Sequence, residues 1–221
     1  MVLAGSSDRT AWLWLASSGD CMQVFSGHEA SVTCGGFSGK KAVTGSADGS
    51  LRVWNCTSGE CVHIFREMGP LSSICLKQSL CVATSQDGSA RLVHIKNKRI
   101  LAQFEHGTEQ SVECAAFCPA FNWVATACLG GQLRIWDLDN SQCRHICQHQ
   151  DGVTKLVWHS ALPLVATVCT DGSAHWWDAR SGLRVESFKA HAQMIIDLCL
   201  AQDSLYTASD DHTIRRFVRR V

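Results

Sequence analysis

Short stretches of alternating or wholly apolar residues, each ended by a turn, follow one another along the entire chain. Examples are Lys41 to Thr44, Leu51 to Trp54 and Cys61 to Phe65, which are separated by Asp-Gly and Ser-Gly turns. Stretches of this length, bounded by glycine-containing turns, are typical of antiparallel β-strands. The pattern therefore predicts an all-β chain built from many short strands.

The same stretches recur with a period of about 40 residues, a spacing typical of repeats that contain four strands each. When the repeats are aligned on the segment Ser-Leu-Arg-Val-Trp at 50–54, the position of Trp54 recurs in six repeats. We call the residue at this position the closing residue of its repeat. The closing residues are Trp14, Trp54, Val93, Trp136, Trp177 and Phe217. Because the recurrence covers nearly the whole sequence, we expect a single repeat domain over residues 1–221.

Polar residues and short motifs also recur at fixed positions of the repeats. A turn acid precedes the closing residue by six positions in five repeats, and the remaining repeat has Gly130 there. The acids are Asp8, Asp48, Asp87, Asp171 and Asp211. Gly-His at the start of a repeat (Gly27-His28) and Trp-Asp at its end (Trp136-Asp137) complete the pattern. This combination resembles the WD repeat of β-propellers.

The resemblance implies a WD-repeat β-propeller with about six four-stranded blades, some of them partial. The first apolar stretch matches an inner strand of a blade, and the last matches a third strand. We therefore expect about 22 strands, arranged as a fragment of a larger propeller with two exposed sheet edges. Such edges favour aggregation, so we also expect poor stability as a monomer.

The resemblance further implies a buried polar chain in each blade. In WD repeats a strand Trp donates its indole N–H to a Ser or Thr hydroxyl, which meets a His, which meets the turn Asp. Two repeats carry the full set, and a third has Phe217 in place of the Trp. The matching residues are His28, Thr44, Asp48 and Trp54; His149, Thr167, Asp171 and Trp177; and His191, Thr207 and Asp211. The repeats closed by Val93 and Trp136 lack members of the set, so we expect the least rigid blades there.

Composition and charge narrow the class of function. The chain has 46% hydrophobic residues and only three prolines, which excludes a disordered chain. Its 20 Lys and Arg balance 20 Asp and Glu, so the strongly basic character of nucleic-acid-binding domains is missing. No apolar stretch is long enough for a spanning helix, and no leader peptide is recognisable. We expect a cytoplasmic protein, with the nucleus as a second location, and neither a membrane nor a small-molecule partner.

No pattern in the sequence indicates catalysis. The thirteen cysteines include no Cys-x-x-Cys pair, so we interpret them as reduced apolar fillers without a metal or cofactor. A His, an Asp and a hydroxyl also form the serine-hydrolase triad, but here the set recurs at the repeat period. Neither Gly-x-Ser-x-Gly nor His-Glu-x-x-His occurs. We predict a non-enzymatic protein, with a Cys/His hydrolase as the remaining enzymatic alternative.

The loops that lead into each repeat are mildly acidic. They hold five acids against Arg66 and Lys189, and in propellers these loops form the upper rim. The acids are Glu29, Glu67, Glu105, Glu109 and Asp151. An acidic rim attracts basic ligands and fits a protein or peptide partner of positive charge.

Finer details resemble one branch of WD-repeat proteins, the angio-associated migratory cell proteins and their fungal counterpart, a dedicated chaperone of a newly made large-subunit ribosomal protein. The segments that carry this resemblance are 2–8, 12–14, 19–21, 69–71, 90–93, 144–149 and 177–180. The resemblance implies an eight-bladed propeller that holds a basic ribosomal segment on its acidic face. The alternative is a WD adaptor of another kind, in signalling, cell migration or substrate recognition by a ubiquitin ligase.

Overall fold

Every regular element of the protein is a β-strand over the residues that the computed structural model describes, namely 1–107, 110–201 and 204–218. The described part holds 22 strands in six antiparallel sheets. Within each sheet, strands that are consecutive in the chain pair with each other. No helix in these three ranges has the length and apolar character that crossing a bilayer requires.

The first compact unit, Met1–Glu105, contains three sheets. Their orders are β1-β2-β3, β4-β5-β6-β7 and β11-β10-β9-β8. The strands are β1 (Val2–Gly5), β2 (Thr10–Trp14), β3 (Cys21–Ser26), β4 (Val32–Ser38), β5 (Lys41–Ser46), β6 (Leu51–Asn55), β7 (Cys61–Phe65), β8 (Leu71–Lys77), β9 (Leu80–Ser85), β10 (Ser89–His94) and β11 (Arg99–Glu105).

The second compact unit, His106–Val221, contains the other three sheets. Their orders are β12-β13-β14-β15, β16-β17-β18-β19 and β20-β21-β22. The strands are β12 (Val112–Phe117), β13 (Trp123–Cys128), β14 (Gln132–Asp137), β15 (Cys143–Gln148), β16 (Val153–Trp158), β17 (Leu164–Cys169), β18 (Ser173–Asp178), β19 (Arg184–Lys189), β20 (Ile195–Ala201), β21 (Ser204–Ser209) and β22 (Ile214–Val218).

The six sheets confirm the predicted all-β architecture of WD blades. The sheet at each end of the chain has three strands and the four between them have four each, as the sequence frame predicts. The strand stretches chosen from the sequence as examples lie in β5, β6 and β7. We number the sheets blade 1 to blade 6 in chain order. That residues 1–221 form a single domain stays a prediction.

Within each unit, neighbouring blades contact each other mainly through their inner strands, as β4 does with β8 and β16 with β20. In blade 5, all of β17 is buried, whereas the outermost strand β19 is mostly exposed. Apolar residues on these faces form clusters between adjacent blades within each unit. The neighbouring side chains Trp176 and Trp177 illustrate the arrangement, because Trp177 belongs to the cluster with blade 4 and Trp176 to the cluster with blade 6. Both tryptophans therefore serve packing.

All thirteen cysteines have free thiols, but they do not all fill the core. Seven are buried and three are half-buried, which fits the role of apolar fillers. Cys21, Cys61 and Cys199 are exposed. The interpretation of every cysteine as a core filler is therefore wrong for these three residues.

Each complete pairing of a third strand with a fourth strand contains a β-bulge just before the closing residue of the repeat. The register shifts lie at Leu13/Trp14, Val53/Trp54, Leu92/Val93, Ile135/Trp136 and Trp176/Trp177. A bulge bends its strand and re-aims the adjacent side chain. Since blade 3 keeps the bulge with Val93, the bulge belongs to the blade and does not depend on an indole ring.

Candidate functional site

Blade 2 contains a complete buried polar chain. His28, in the loop between β3 and β4, places Nε2 at 2.8 Å from Thr44 Oγ1 and Nδ1 at 3.0 Å from Asp48 Oδ2. The indole Nε1 of Trp54 donates to Thr44 Oγ1 at 2.8 Å. This chain joins the loop, β5, the following turn and β6, so four separate segments of one blade are fixed together by paired polar groups.

Asp48 is the charged end of this chain, and its surroundings favour the ionised form. Burial opposes ionisation, but hydrogen bonds from the Ser50 hydroxyl, the Glu29 and Ser50 backbone N–H groups and His28 outweigh it. Together they hold the pKa of Asp48 well below its ordinary value. Burial lowers the pKa of His28, so the neutral imidazole accepts the Thr44 hydroxyl proton through Nε2 and donates through Nδ1.

Blade 6 repeats this arrangement without the indole. His191 Nε2 lies 2.7 Å from Thr207 Oγ1, and His191 Nδ1 lies 2.9 Å from Asp211 Oδ2. Phe217 takes the place of the Trp and packs against Phe188 at 4.8 Å between ring centroids. A hydrogen bond from the Thr213 hydroxyl heads the contacts that lower the pKa of Asp211.

In blade 5, the polar chain differs from the sequence expectation. His149 Nε2 meets Thr167 Oγ1 at 2.8 Å, and Trp177 Nε1 donates to Thr167 Oγ1 and to His149 Nε2, each at 3.1 Å. However, His149 Nδ1 points to the backbone oxygen of Gly131 at 3.0 Å and not to Asp171. The expected bond between His149 and Asp171 is therefore wrong.

A second histidine lies beside this chain. His175 stacks edge-on against His149 with 5.0 Å between ring centroids, and it bonds to Ser173 Oγ at 2.9 Å. Asp171 accepts the Ser173 hydroxyl at 2.6 Å and lies 3.8 Å from Lys189 Nζ. Asp171 thus keeps the serine partner that the turn acids of blades 2 and 3 also have, and Lys189 is its partner in place of His149.

Blade 4 contains a network histidine that the sequence frame missed. His106 is fully buried, and its Nε2 lies 2.7 Å from Thr126 Oγ1, which also accepts the Trp136 indole N–H at 2.8 Å. Its Nδ1 is buried without a partner, because Gly130 replaces the turn acid. Burial lowers the pKa of His106 to about 3. The sequence feature that could have indicated this histidine is His106-Gly107, in which the two residues of the Gly-His dipeptide stand in reverse order.

Blade 3 has a different polar chain at the same place. Asp87 accepts the Ser89 hydroxyl at 2.6 Å and lies 3.3 Å from Arg91 Nη1. Arg91 also donates to the Met68 backbone oxygen at 2.8 Å. Here a serine and an arginine satisfy the turn acid, and the histidine is absent from its usual position, which Met68 occupies.

The predicted rim acids of the first unit are all exposed. Glu29 and Glu67 lie in the loops that lead into blades 2 and 3, and Glu105 ends β11. The turn acids Asp8 and Asp87 are exposed on the same end of their blades, so they extend the predicted rim. We name this set of five carboxylates the acidic rim.

A cleft opens beside the acidic rim between blades 2 and 3. It has a volume of about 440 Å³, and Asp48, Arg66, Glu67 and Pro70 are among its lining residues. Glu67 is the exposed carboxylate of this cleft, whereas the carboxylate of Asp48 already accepts hydrogen bonds from His28, Ser50 and the Glu29 backbone N–H.

The corresponding loops of the second unit are closer to neutral. Asp151 is exposed and lines a cleft that also contains Asp171, Arg184 and Lys189. Lys189 pairs with Asp171, so this cleft has no large charge excess. Glu109, the remaining predicted rim acid, lies outside the described residues.

Blades with this polar chain define a class of protein, the WD-repeat propellers. The sequence profile of the family "WD domain, G-beta repeat" matches residues 19–55, 98–137 and 141–178, just over half of the chain. The chain belongs to this family. Its members generally serve as non-catalytic scaffolds that bind other proteins.

Among individual proteins, the chain is similar to the angio-associated migratory cell protein of Homo sapiens. The two are 32% identical over 241 residues, which cover 98% of this chain and 55% of the relative. An uncharacterized WD repeat-containing protein of Schizosaccharomyces pombe is 30% identical over 126 residues, covering 56% of this chain and 31% of that protein. The chain thus spans about half the length of the migratory cell protein that it matches.

The crystal structure of the computationally designed Ika8 protein has the same fold. It superposes with a TM-score of 0.89 at 20% sequence identity, over 98% of this chain and 67% of the designed one. A likeness at this identity concerns the fold alone.

Proposed function

We propose that this chain is a non-catalytic holding protein that binds a lysine- and arginine-rich segment of a large-subunit ribosomal protein during ribosome assembly. The observation that carries the proposal is the acidic rim, whose exposed carboxylates lie in the entering loops and turns at one end of the blades of the first unit. An extended basic segment presents charges at regular intervals, so it can meet several of these carboxylates at once.

The resemblance to the angio-associated migratory cell proteins supports the choice of client. That branch includes the fungal chaperone of a newly made ribosomal protein, and ribosomal proteins contain basic segments that need protection before assembly. A holding protein of this kind requires no catalytic residues and no cofactor. We further propose that it works in the cytoplasm, where ribosomal proteins are made, with the nucleus as a second location.

A second candidate follows from the relative's printed name, which associates that protein with migratory cells. A WD adaptor in signalling or cell migration would use the same loops for a different peptide. The two candidates differ in their ligand, because an adaptor has no need for a strongly basic segment.

The test is binding of the full chain to a panel of fluorescent peptides taken from basic segments of large-subunit ribosomal proteins, at low and raised salt. We compare the unaltered chain with the double variant Glu29→Gln/Glu67→Gln. Two lost carboxylates should weaken binding about two- to thirtyfold, since one exposed charge pair contributes about 0.2–1 kcal/mol. Raised salt should weaken binding of the unaltered chain more than binding of the variant.

A matched control is the variant Asp20→Asn/Glu60→Gln, which changes the net charge equally in the same unit. Asp20 and Glu60 are exposed and lie in the turns at the opposite end of blades 1 and 2. Equal loss of affinity in both variants would show nonspecific attraction. Binding of none of the peptides would remove the ribosomal proposal and favour the adaptor.

A further inference from the structure

Three side chains of blade 5 that can ligate a metal ion meet in the blade interior. One ligand atom each of His149, Cys169 and His175 lies within 4.8 Å of the other two. All three residues are buried, with His175 8% exposed and Cys169 1% exposed. Among the described residues, no other His, Cys, Asp and Glu side chains form such a group.

The hydrogen bonds determine which nitrogen of each imidazole carries the lone pair. His149 Nδ1 donates to the Gly131 backbone oxygen, so its Nε2 carries the lone pair, which accepts from Thr167 and Trp177 and which an ion would have to take over from them. His175 Nε2 donates to Ser173 Oγ, whose hydroxyl donates in turn to Asp171. The Nδ1 atom of His175 is then a bare acceptor, and it is buried without a partner. A buried acceptor without a donor is a costly arrangement that a cation would relieve.

These same bonds are the outer partners that ligating histidines have in metal proteins. Such histidines donate their second N–H to a backbone carbonyl or, directly or through another group, to a carboxylate. His149 has the carbonyl, and His175 has a path through Ser173 to Asp171. Both rings are therefore held in one orientation and in one tautomer.

The repeat itself shows that the group is a departure from the ordinary blade. Two residues before the closing position, blades 2, 3, 4 and 6 have arginine where blade 5 has His175. Arg91, Arg134 and Arg215 each donate to a backbone oxygen. Eight residues before the closing position, four blades have serine, whereas blades 4 and 5 have Cys128 and Cys169. In the aligned repeats, only blade 5 combines the cysteine with this second histidine.

We propose that His149, Cys169 and His175 form a binding site for Zn²⁺, with His149 Nε2, His175 Nδ1 and Cys169 Sγ as ligands. Two imidazoles and one thiolate suit zinc. At Zn–N distances of about 2.0–2.1 Å and a Zn–S distance of about 2.3 Å, the ligand atoms must approach one another by about 1 Å. The thiol proton of Cys169 passes to solvent as the sulfur binds the ion.

One of the three ligand residues also borders a surface cleft. His175 lines a cleft of about 380 Å³ that opens among Asp151, Asp171 and Lys189. In the proposed site, water from this cleft is the fourth ligand of the tetrahedron that zinc prefers. When the ion takes the lone pair of His149 Nε2, Trp177 retains Thr167 Oγ1 as an acceptor at 3.1 Å, whereas the Thr167 hydroxyl gives up its bond to His149.

The first test measures zinc binding and thermal unfolding of the full chain. Zn²⁺ at a hundredfold excess over its dissociation constant should raise the melting temperature by about 5–10 °C. The variants Cys169→Ser and His175→Arg place the serine and arginine of other blades at these positions, so they should fold. Each should weaken zinc binding more than tenfold. Cys128→Ser, at the same repeat position in blade 4, is the matched control and should bind zinc as the unaltered chain does.

A second measurement does not depend on any variant folding. X-ray absorption of the zinc-loaded, unaltered chain should show one sulfur and two imidazole nitrogens bound to each ion. Two or more sulfurs per ion would place the zinc among other cysteines and overturn the proposal. It would also be overturned by the absence of stoichiometric binding, or by equal loss of binding in the Cys128→Ser and Cys169→Ser variants.

Discussion

At the scale of single residues, the threonine of the second strand is the centre of each polar chain that contains a histidine, in blades 2, 4, 5 and 6. Thr44 Oγ1 accepts the Trp54 indole proton and donates to His28, and both of these partners are buried. A hydroxyl is the smallest side-chain group that can donate and accept at the same time. Loss of the threonine hydroxyl would leave two buried polar groups without this partner. Loss of the indole alone would leave the bonds among Thr, His and Asp in place, as in blade 6.

We therefore expect Thr44→Val, which preserves the shape of the side chain, to lower the free energy of unfolding by about 2–4 kcal/mol. The exposed Thr57 provides the control, since Thr57→Val should change this free energy by no more than about 0.5 kcal/mol. Urea denaturation followed by tryptophan fluorescence measures both variants. Equal, small effects would show that the polar chain contributes little to stability.

Gly130 offers the opposite experiment, a repair of the polar chain. Gly130→Asp would place a carboxylate where His106 Nδ1 is buried without a partner, as Asp48 and Asp211 do for their histidines. A β-carbon there would lie 3.3 Å from the flexible Gln110 side chain and 3.5 Å from Cys128 Sγ, so little must move. We expect a gain of about 1 kcal/mol in the free energy of unfolding.

The variant Gly130→Ala is the reference for this repair, because it adds the β-carbon without the carboxylate. The aspartate should exceed the alanine in thermal stability at pH 7. If both variants melt at the same temperature, the carboxylate does not reach His106.

At the scale of elements, the sequence predicted the strands well and the bulges not at all. The alternation in Leu51 to Trp54 and the turns around it determine β6, since both are local properties of the chain. The bulge before Trp54 depends on its pairing with β7, which apolar periodicity does not encode. For the same reason the sequence frame paired His149 with Asp171, whereas in the fold Lys189 is the partner of Asp171.

The edge strand β22 is the element that we expect to control self-association. In the described part of the chain it lies at the edge of its sheet, and Ile214 is 78% exposed. Exposed apolar edge strands pair with other chains, and lysine on the edge prevents this. Ile214→Lys should therefore reduce concentration-dependent association, as measured by sedimentation.

Leu183→Lys is the comparison for this effect. Leu183 is 69% exposed but lies in the turn before β19 and not on a strand edge. Similar reductions in both variants would assign the association to general surface hydrophobicity.

At the scale of the whole molecule, the buried histidines make stability depend on pH. Burial lowers the pKa of His106 to about 3 and that of His149 to about 4, below the ordinary value of 6.5. At pH values between the lowered pKa of each ring and 6.5, the unfolded chain therefore binds more protons than the folded chain. The stability contributed by each neutral ring is fully present above pH 6.5 and is lost as the pH falls toward the lower values.

We expect the free energy of unfolding to decrease by about 1.4 kcal/mol per pH unit for each of these two histidines between pH 6 and pH 5. Urea denaturation at intervals of half a pH unit measures the slope. His106→Gln should reduce this slope, although it also lowers stability at pH 7. A free energy that stays constant from pH 7 to pH 5 would show that the two rings are not buried as described.

The number of blades and their order could be predicted because they follow from the period of the sequence. The positions of Trp136 and Trp177 are sufficient to align the repeats. The distribution of charge was predicted only in part. The prediction considered the loops that lead into each repeat, whereas Asp8 and Asp87 lie in turns within a blade, at the same end. The spacing of the cysteines does not indicate the group of His149, Cys169 and His175, because two of its members are histidines.

The pairing of strands that are consecutive in the chain has a consequence for the synthesis of the protein. Every sheet is complete within one stretch of sequence, and the polar chain of blade 2 closes between His28 and Trp54. Contacts of this kind have a low contact order and need no distant partner before they form. Within each unit, a blade can thus fold onto the blade made before it soon after its own strands leave the ribosome. The nascent chain of one unit would then expose the apolar face of only one blade at a time.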